Sequence, residues 1–422
     1  MLSYKKLVVL FCGLMLSLAG LAAAQEGASA PQKKIVLKYA NAEGAEQIKI
    51  AKEICAAFEK DNPDIRIEMD FMTHIGTITE RIAAGQPPDV FMWWGGLTEM
   101  QEKGDLLPLG QHVKKNNVNM KKYYKELVDF YSYGSELYGM PLQMNTQCIV
   151  YNKDMFDKEK LPYPQPGWTW QDYYFTAKKL TKDMNKDGIR EQFGSSKIDT
   201  RFFLVSNGSK IIDFEKKKCV VDTADNRIMI EYLQKLRRDC CPTKTESAAL
   251  VAGLTGVKQD FYTGKVAMGH ASAWNLTDYS TIKNFKWDVV PLPVPITGNN
   301  RAIFDEACLV ISKKTQYPDE AFRFVNFYCG EKGMKIFAAG KDGIPADINI
   351  ARKEFLKGLP ASAKYYLDAA DVAKVPMNER EPKLNQAMLI FSKYFDQFYF
   401  ENRGMDEILK NITWDTDELL KQ

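Results

Sequence analysis

The chain has 422 residues, a length suited to two domains rather than one. Apolar residues make up 45% and aromatic residues 12%, enough for a large core, and this excludes a disordered chain. Lysine plus arginine (57) nearly balances aspartate plus glutamate (54), so there is no global field for gripping nucleic acid or anionic lipid.

Lys5 and Lys6 precede an apolar run from Leu7 to Leu21, which ends in Ala22-Ala23-Ala24. A basic start, an apolar middle and a small-residue end read as a secretory signal over residues 1–24. An uncleaved anchor is the competing reading, although the run barely reaches spanning length. Bulky Phe11 before Cys12 argues against a lipoprotein cleavage site. No later stretch is apolar enough to span a bilayer, so the expected product is exported and soluble, in the periplasm or outside the cell. Cys12 leaves with the signal, and seven cysteines remain, an odd number that leaves at least one without a partner in the chain. No CxxC pair or ligand-like Cys/His spacing occurs, so neither a zinc site nor any other cofactor is expected.

Ile35 to Ala40 reads as a strand. Ala51, Ile54, Cys55 and Phe58 then follow helical spacing, closed by Asp61-Asn62-Pro63. Ile65, Ile67, Met69 and Phe71 alternate with polar residues, the signature of a half-buried strand. Ile75, Ile78 and Ile82 mark a short helix, and Asp89 to Trp93 a third strand. Strand–helix–strand–helix–strand implies a parallel sheet, because parallel strands need crossovers. Ligands of such sheets sit outside the carboxyl ends of the strands. Those ends release Asn41 and Glu43, then His74, then Trp93 and Trp94. Carboxylates and amides bond hydroxyls, and an indole face covers the C–H side of a sugar ring. No P-loop or cationic cluster stands there for phosphate. Because strand neighbours face opposite ways, one of Trp93 and Trp94 is expected to point into the core. His74 fits a helix cap as well as a ligand contact, and Glu43 also fits the start of a helix.

The middle of the chain carries Leu137-Tyr138-Gly139-Met140-Pro141-Leu142, Tyr151-Asn152-Lys153-Asp154-Met155-Phe156 and Gly167-Trp168-Thr169-Trp170. Gly264-Lys265-Val266-Ala267-Met268 leads to Trp274, and Leu309-Val310-Ile311-Ser312 precedes Pro318-Asp319-Glu320-Ala321. In this order, from about Ile35 to Phe337, the chain resembles family 1 of the extracellular solute-binding proteins of ABC importers, the sugar-binding group related to maltose-binding protein. The resemblance implies an α/β, two-lobe periplasmic-binding-protein fold of type II, hinged around a ligand cleft. The expected lobes are residues 35–143 with 303–340, and 144–302 with 341–422. Trp93 or Trp94 falls where the family often stacks an aromatic on its ligand, Asn145 lies just past the first lobe crossing, and Trp274 matches a second cleft aromatic. Asp305 and Glu306 replace a common Gly-Gly pair, and Asp305 is the candidate there for binding hydroxyls. Gly139-Met140-Pro141 mixes a free residue with a fixed one, as a hinge would. Trp168 and Trp170 read as packing at a helix entry.

Asp183-Met-Asn185-Lys-Asp187-Gly188 opens like a calcium loop, but position twelve is Gly194, not glutamate, so an Asx-stabilised turn is the favoured reading. No HExxH, GxSxG, Walker A or GxGxxG motif appears. The expected protein is a monomeric, non-enzymatic receptor that captures a sugar or oligosaccharide and hands it to permease subunits of an ABC transporter. The alternatives are a receptor for glycerol phosphate, polyamine or another solute, and a secreted carbohydrate-active enzyme. Arg301 and Arg380 are cations whose place the sequence leaves open.

Overall fold

The computed structural model describes residues 34–41, 44–72, 76–252, 260–298, 302–376, 380–401 and 403–421. The expected signal (1–24), Glu43, His74 and Arg301 lie outside the described residues.

The first strand, β1 (Ile35–Asn41), runs to α1 (Ala45–Asp61), β2 (Ile65–Phe71), α2 (Gly76–Ala83) and β3 (Val90–Trp93). β1 lies between β2 and β3 and is parallel to both, as the crossover pattern requires. Ile65 and Ile67 are buried while Arg66 and Glu68 are exposed, so the period-two pattern sets which face meets the core. On α1 the predicted face of Ala51, Ile54, Cys55 and Phe58 is buried, joined by Ile50.

Two further strands show where the chain changes sheet. β4 (Gly139–Asn145) belongs to the first sheet and is buried throughout, whereas β5 (Gln147–Asn152) opens a second sheet. Only Thr146 separates them. Gly139-Met140-Pro141, expected as a hinge, is instead a packed strand, and a Cβ on Gly139 would sit 2.7 Å from the Cys308 sulfur. Glycine is needed there for close approach rather than for freedom.

Helix α3 (Trp170–Leu180) starts with a complete capping box, in which Thr169 and Asp172 each accept from the other's backbone amide. Trp170 is buried with its ring 4.6 Å from that of Phe203, and the Trp168 indole donates to the Pro291 carbonyl at 2.9 Å. Both tryptophans pack at a helix entry, as the sequence suggests. α4 (Ala224–Cys240) covers the same core. β6 (Met268–Ser272) and β7 (Trp287–Pro291) flank β5 on its two edges, both antiparallel to it.

The return strand β8 (Ile303–Ile311) enters the first sheet antiparallel to β3 on one edge and β4 on the other. α5 (Pro318–Tyr328) then packs Phe324 and Phe327 edge-on against Phe58, at 5.1 and 5.4 Å, and α6 (Glu331–Gly340) follows. Such aromatic pairs contribute about 0.5–1.5 kcal/mol each beyond their buried area.

After α6 the backbone returns to the first sheet. Met144 donates to Ile344, and Ala346 donates to Leu142, with buried Ile350 and Phe355 just beyond. The closing helices α7 (Leu384–Phe400) and α8 (Met405–Lys421) put Phe391, Phe395, Phe398, Ile408 and Leu409 into the second core. The tail is therefore shared, with residues 344–355 against the first sheet and 387–420 against the second.

Candidate functional site

β3 ends at Trp93, and the turn beyond it forms one wall of a cavity of about 840 Å³. α2 and residues 98–105 extend that wall, and residues 380–385, which lead into α7, form the opposite one. Elements of the first sheet thus face the start of a helix anchored in the second core, so the cavity is an interlobe cleft.

Both tryptophans line the cleft, but they differ in burial, because β3 ends at Trp93 and Trp94 lies beyond the strand. Trp93 is half-buried, edge-on to Phe91 at 6.4 Å, and its indole donates to the Gly96 carbonyl at 3.2 Å. Trp94 is 37% exposed, and its ring lies on the cleft. Gly95 follows with φ +92°, a left-handed conformation that suits glycine. Its N–H donates at 3.0 Å to Oε1 of Glu306, a carboxylate only 2% exposed.

The cleft's charges are unequally engaged. Lys103 is paired with Glu99 at 2.6 Å. Arg380 donates to the Asp129 carbonyl, and its guanidinium lies over the rings of Tyr133 (5.0 Å) and Phe130 (5.6 Å). Thr98 donates to the Arg380 carbonyl, which ties the two walls together. Glu80, Asp105 and Glu381 also line the cleft, and none has an ion-pair partner among the described residues.

The other candidates group elsewhere. Asn41 is fully buried at the end of β1, and its amide donates to the Tyr39 hydroxyl at 3.3 Å. Asn145 is buried and accepts from the Ile344 amide at 3.1 Å, which holds the returning segment against the crossing. Asp305 pairs across the ladder with Asn145, and its carboxylate accepts from Gln147 Nε2 at 2.5 Å. Gln147 also donates to Ser272, so this polar group joins the ends of β4, β5, β6 and β8. Burial pushes the Asp305 carboxyl up to about 6, against the opposing pull of Gln147 and the nearby Arg201. Trp274 is half-buried in a short helical turn after β6, beside a Ser272–Asn275 capping box. Asn41, Asn145, Trp274 and Asp305 do not line the 840 Å³ cleft.

Sequence reasoning named Arg380 without placing it, and missed Gln147 and the rest of the wall, Glu381 to Asn385. Gln147 stands two residues beyond Asn145 and reads as one polar residue among many. The 380–385 segment reaches the cleft only through the tail's packing, which leaves no local sequence signal.

The Asp183–Glu191 loop brings carboxylate oxygens of Asp183, Asp187 and Glu191 within 4.8 Å of one another. Backbone amides of Gly188, Ile189 and Met184 donate to those three side chains in turn, and Lys186 and Gly188 have positive φ. These contacts are those of an Asx-stabilised turn.

Residues 41–335 match the sequence pattern of the family described as bacterial extracellular solute-binding protein. The chain belongs to that family. Among relatives of this solute-binding protein, a multiple sugar-binding protein from Streptococcus mutans is 27% identical over 371 residues, covering 83% of this chain and 84% of the relative. A substrate-binding protein from Listeria monocytogenes, solved with cycloalternan, superposes with a TM-score of 0.80 at 23% identity, covering 92% of this chain and 99% of that one. The maltose/maltodextrin-binding domain from Bdellovibrio bacteriovorus, bound to maltotriose, gives 0.75 at 15% identity over 92% of this chain and all of that one. The fold of this solute-binding protein is thus the expected type II periplasmic-binding architecture. No helix among its described residues is long and apolar enough to cross a membrane.

Proposed function

We propose that this solute-binding protein is the receptor of an ABC importer, capturing a sugar or short oligosaccharide in the interlobe cleft for delivery to membrane permease subunits. The observation that carries this reading is the cleft itself. The exposed Trp94, the half-buried Trp93 and carboxylates without ion-pair partners among the described residues line a cavity within the size range of small-molecule sites. Trp94 offers a flat face to a pyranose, and carboxylates accept from its hydroxyls. The sugar-binding name of the Streptococcus relative supports the ligand class. The cleft residues bind and orient, and no covalent step is proposed. The export signal at residues 1–24, a monomeric state and a boundary between lobes at Asn145–Gln147 complete the reading.

Charge bears on the alternatives. A phosphate ligand needs available cations, yet Lys103 and Arg380 are already engaged. A polyamine is the second reading, favoured by Glu80, Asp105 and Glu381. Calorimetric titration with maltotriose, mannotriose, spermidine and glycerol 3-phosphate separates these classes. Saturable heat from an oligosaccharide is the expected result. Saturation by spermidine or glycerol 3-phosphate with silence from saccharides would overturn the sugar reading.

A further inference from the structure

Between β3 and β8 the ladder stops at the pair Trp93–Cys308. Trp94 and Gly95 leave the sheet at that point, so neither has a ladder partner on β8. Glu306 stands two residues along β8 from Cys308, and its side chain reaches the departing turn to accept the Gly95 N–H at 3.0 Å. The carboxylate supplies the bond that the ended ladder no longer provides. It does so while almost wholly withdrawn from water. The next residue, Asp305, holds Gln147 at the start of the second sheet. Adjacent residues of one strand therefore reach the cleft turn and the lobe crossing.

We propose that Glu306 is a positioning residue, which fixes the Trp93–Gly96 turn through Gly95 and so presets the Trp94 indole as a ligand platform. The platform's purpose rests on the saccharide reading above, whereas the restraint on Trp94 does not. A buried carboxylate that only filled space would be replaceable by an apolar side chain of similar length without effect on Trp94. A positioning carboxylate would not be.

The test isolates Trp94 by subtracting the emission of a Trp94→Phe background from that of the parent, with acrylamide quenching measured in wild type, Glu306→Met and Glu306→Gln. Methionine keeps the volume but loses the acceptor, and glutamine keeps an acceptor oxygen. The quenching constant of Trp94 is expected to change roughly two-fold or more in Glu306→Met and to return toward wild type in Glu306→Gln, since only the hydrogen-bonded forms hold the turn. Unchanged Trp94 quenching in folded Glu306→Met overturns the proposal. Should Glu306→Met fail to fold, hydrogen exchange of the Gly95 amide in wild type decides. Slow exchange supports the restraint, and exchange at the rate of an open loop refutes it. Maltotriose and mannotriose titrations of wild type keep the two claims apart. A Trp94 signal that depends on Glu306 but ignores both saccharides supports the positioning role and counts against the sugar reading alone.

Discussion

Trp94 is the residue on which ligand affinity should depend most. Its exposed indole projects from a turn already held by Glu306, so little ordering cost remains when a ring settles on it. Trp94→Ala is expected to weaken saccharide binding by about 1–3 kcal/mol through the lost apolar face, with little change in melting temperature. An affinity left intact would remove Trp94 from the site. Asp305 carries a different prediction. Its folded pKa, about 6, lies above the ordinary 3.8, chiefly because burial penalises the charge. Above pH 6 the group is ionised in both folded and unfolded chains, and the penalty is fully present. Below about pH 4 it is protonated in both, and the penalty vanishes. This group therefore adds stability as pH falls from 6 to 4, on the order of 2–3 kcal/mol. Exposed carboxylates such as Asp64, held low by Arg323, act in the opposite sense. The comparison with Asp305→Asn cancels them. The variant should melt above wild type at pH 7, and the gap should narrow by pH 4. A gap that does not vary with pH would refute the assignment.

At the scale of elements, the join between the sheets is the sensitive place. Gly343 has φ +96°, and a Cβ there would lie 2.3 Å from Gln143 Oε1 and 2.4 Å from Asn145 Oδ1. Gly343→Ala should thus cost on the order of 1–3 kcal/mol, read as a lower denaturation midpoint, because both the backbone and the crossing amides must shift. The capping box of α3 offers a milder case, with Thr169→Ala expected to cost about 1 kcal/mol. The elements also explain what the sequence could and could not convey. β1 to β3 were legible because alternation and helical spacing are local, and one buried face fixes their register. The expectation that the pleat sends one of Trp93 and Trp94 into the core does not apply, because β3 ends at Trp93, which is half-buried and lines the cleft together with Trp94. Gly139-Met140-Pro141 read as a hinge because glycine and proline usually punctuate a chain. Burial along the whole of β4 and its pairing with β8 overrode that signal. Asn145 and Asp305 read as ligand contacts because they are polar and near a crossing, yet they bond mainly to Ile344 and Gln147. Such pairings span 199 and 158 residues, distances over which periodicity carries no information.

Among the described residues the apolar side chains form two cores, one reaching from the first sheet onto one face of the second and the other on the second sheet's opposite face, with the tail divided between them. Its thiols follow from that packing. All seven described cysteines are free and buried, and burial raises their pKa values, to about 11 for Cys219 and about 12 for Cys241. A thiol that is both protonated and enclosed is a poor nucleophile. The native protein should release almost no colour from a disulfide reagent, and all seven should react after denaturation. Rapid reaction in the native state would show that the cores are open. The cleft between the cores is where the functional account stands or falls. Its most direct test is a tryptophan-emission titration with maltotriose and mannotriose, run in parallel on wild type and Trp94→Ala. A saturable response to at least one saccharide is expected in wild type, with its loss or marked weakening in the variant. An undiminished saccharide response without Trp94, or none in wild type, would contradict it.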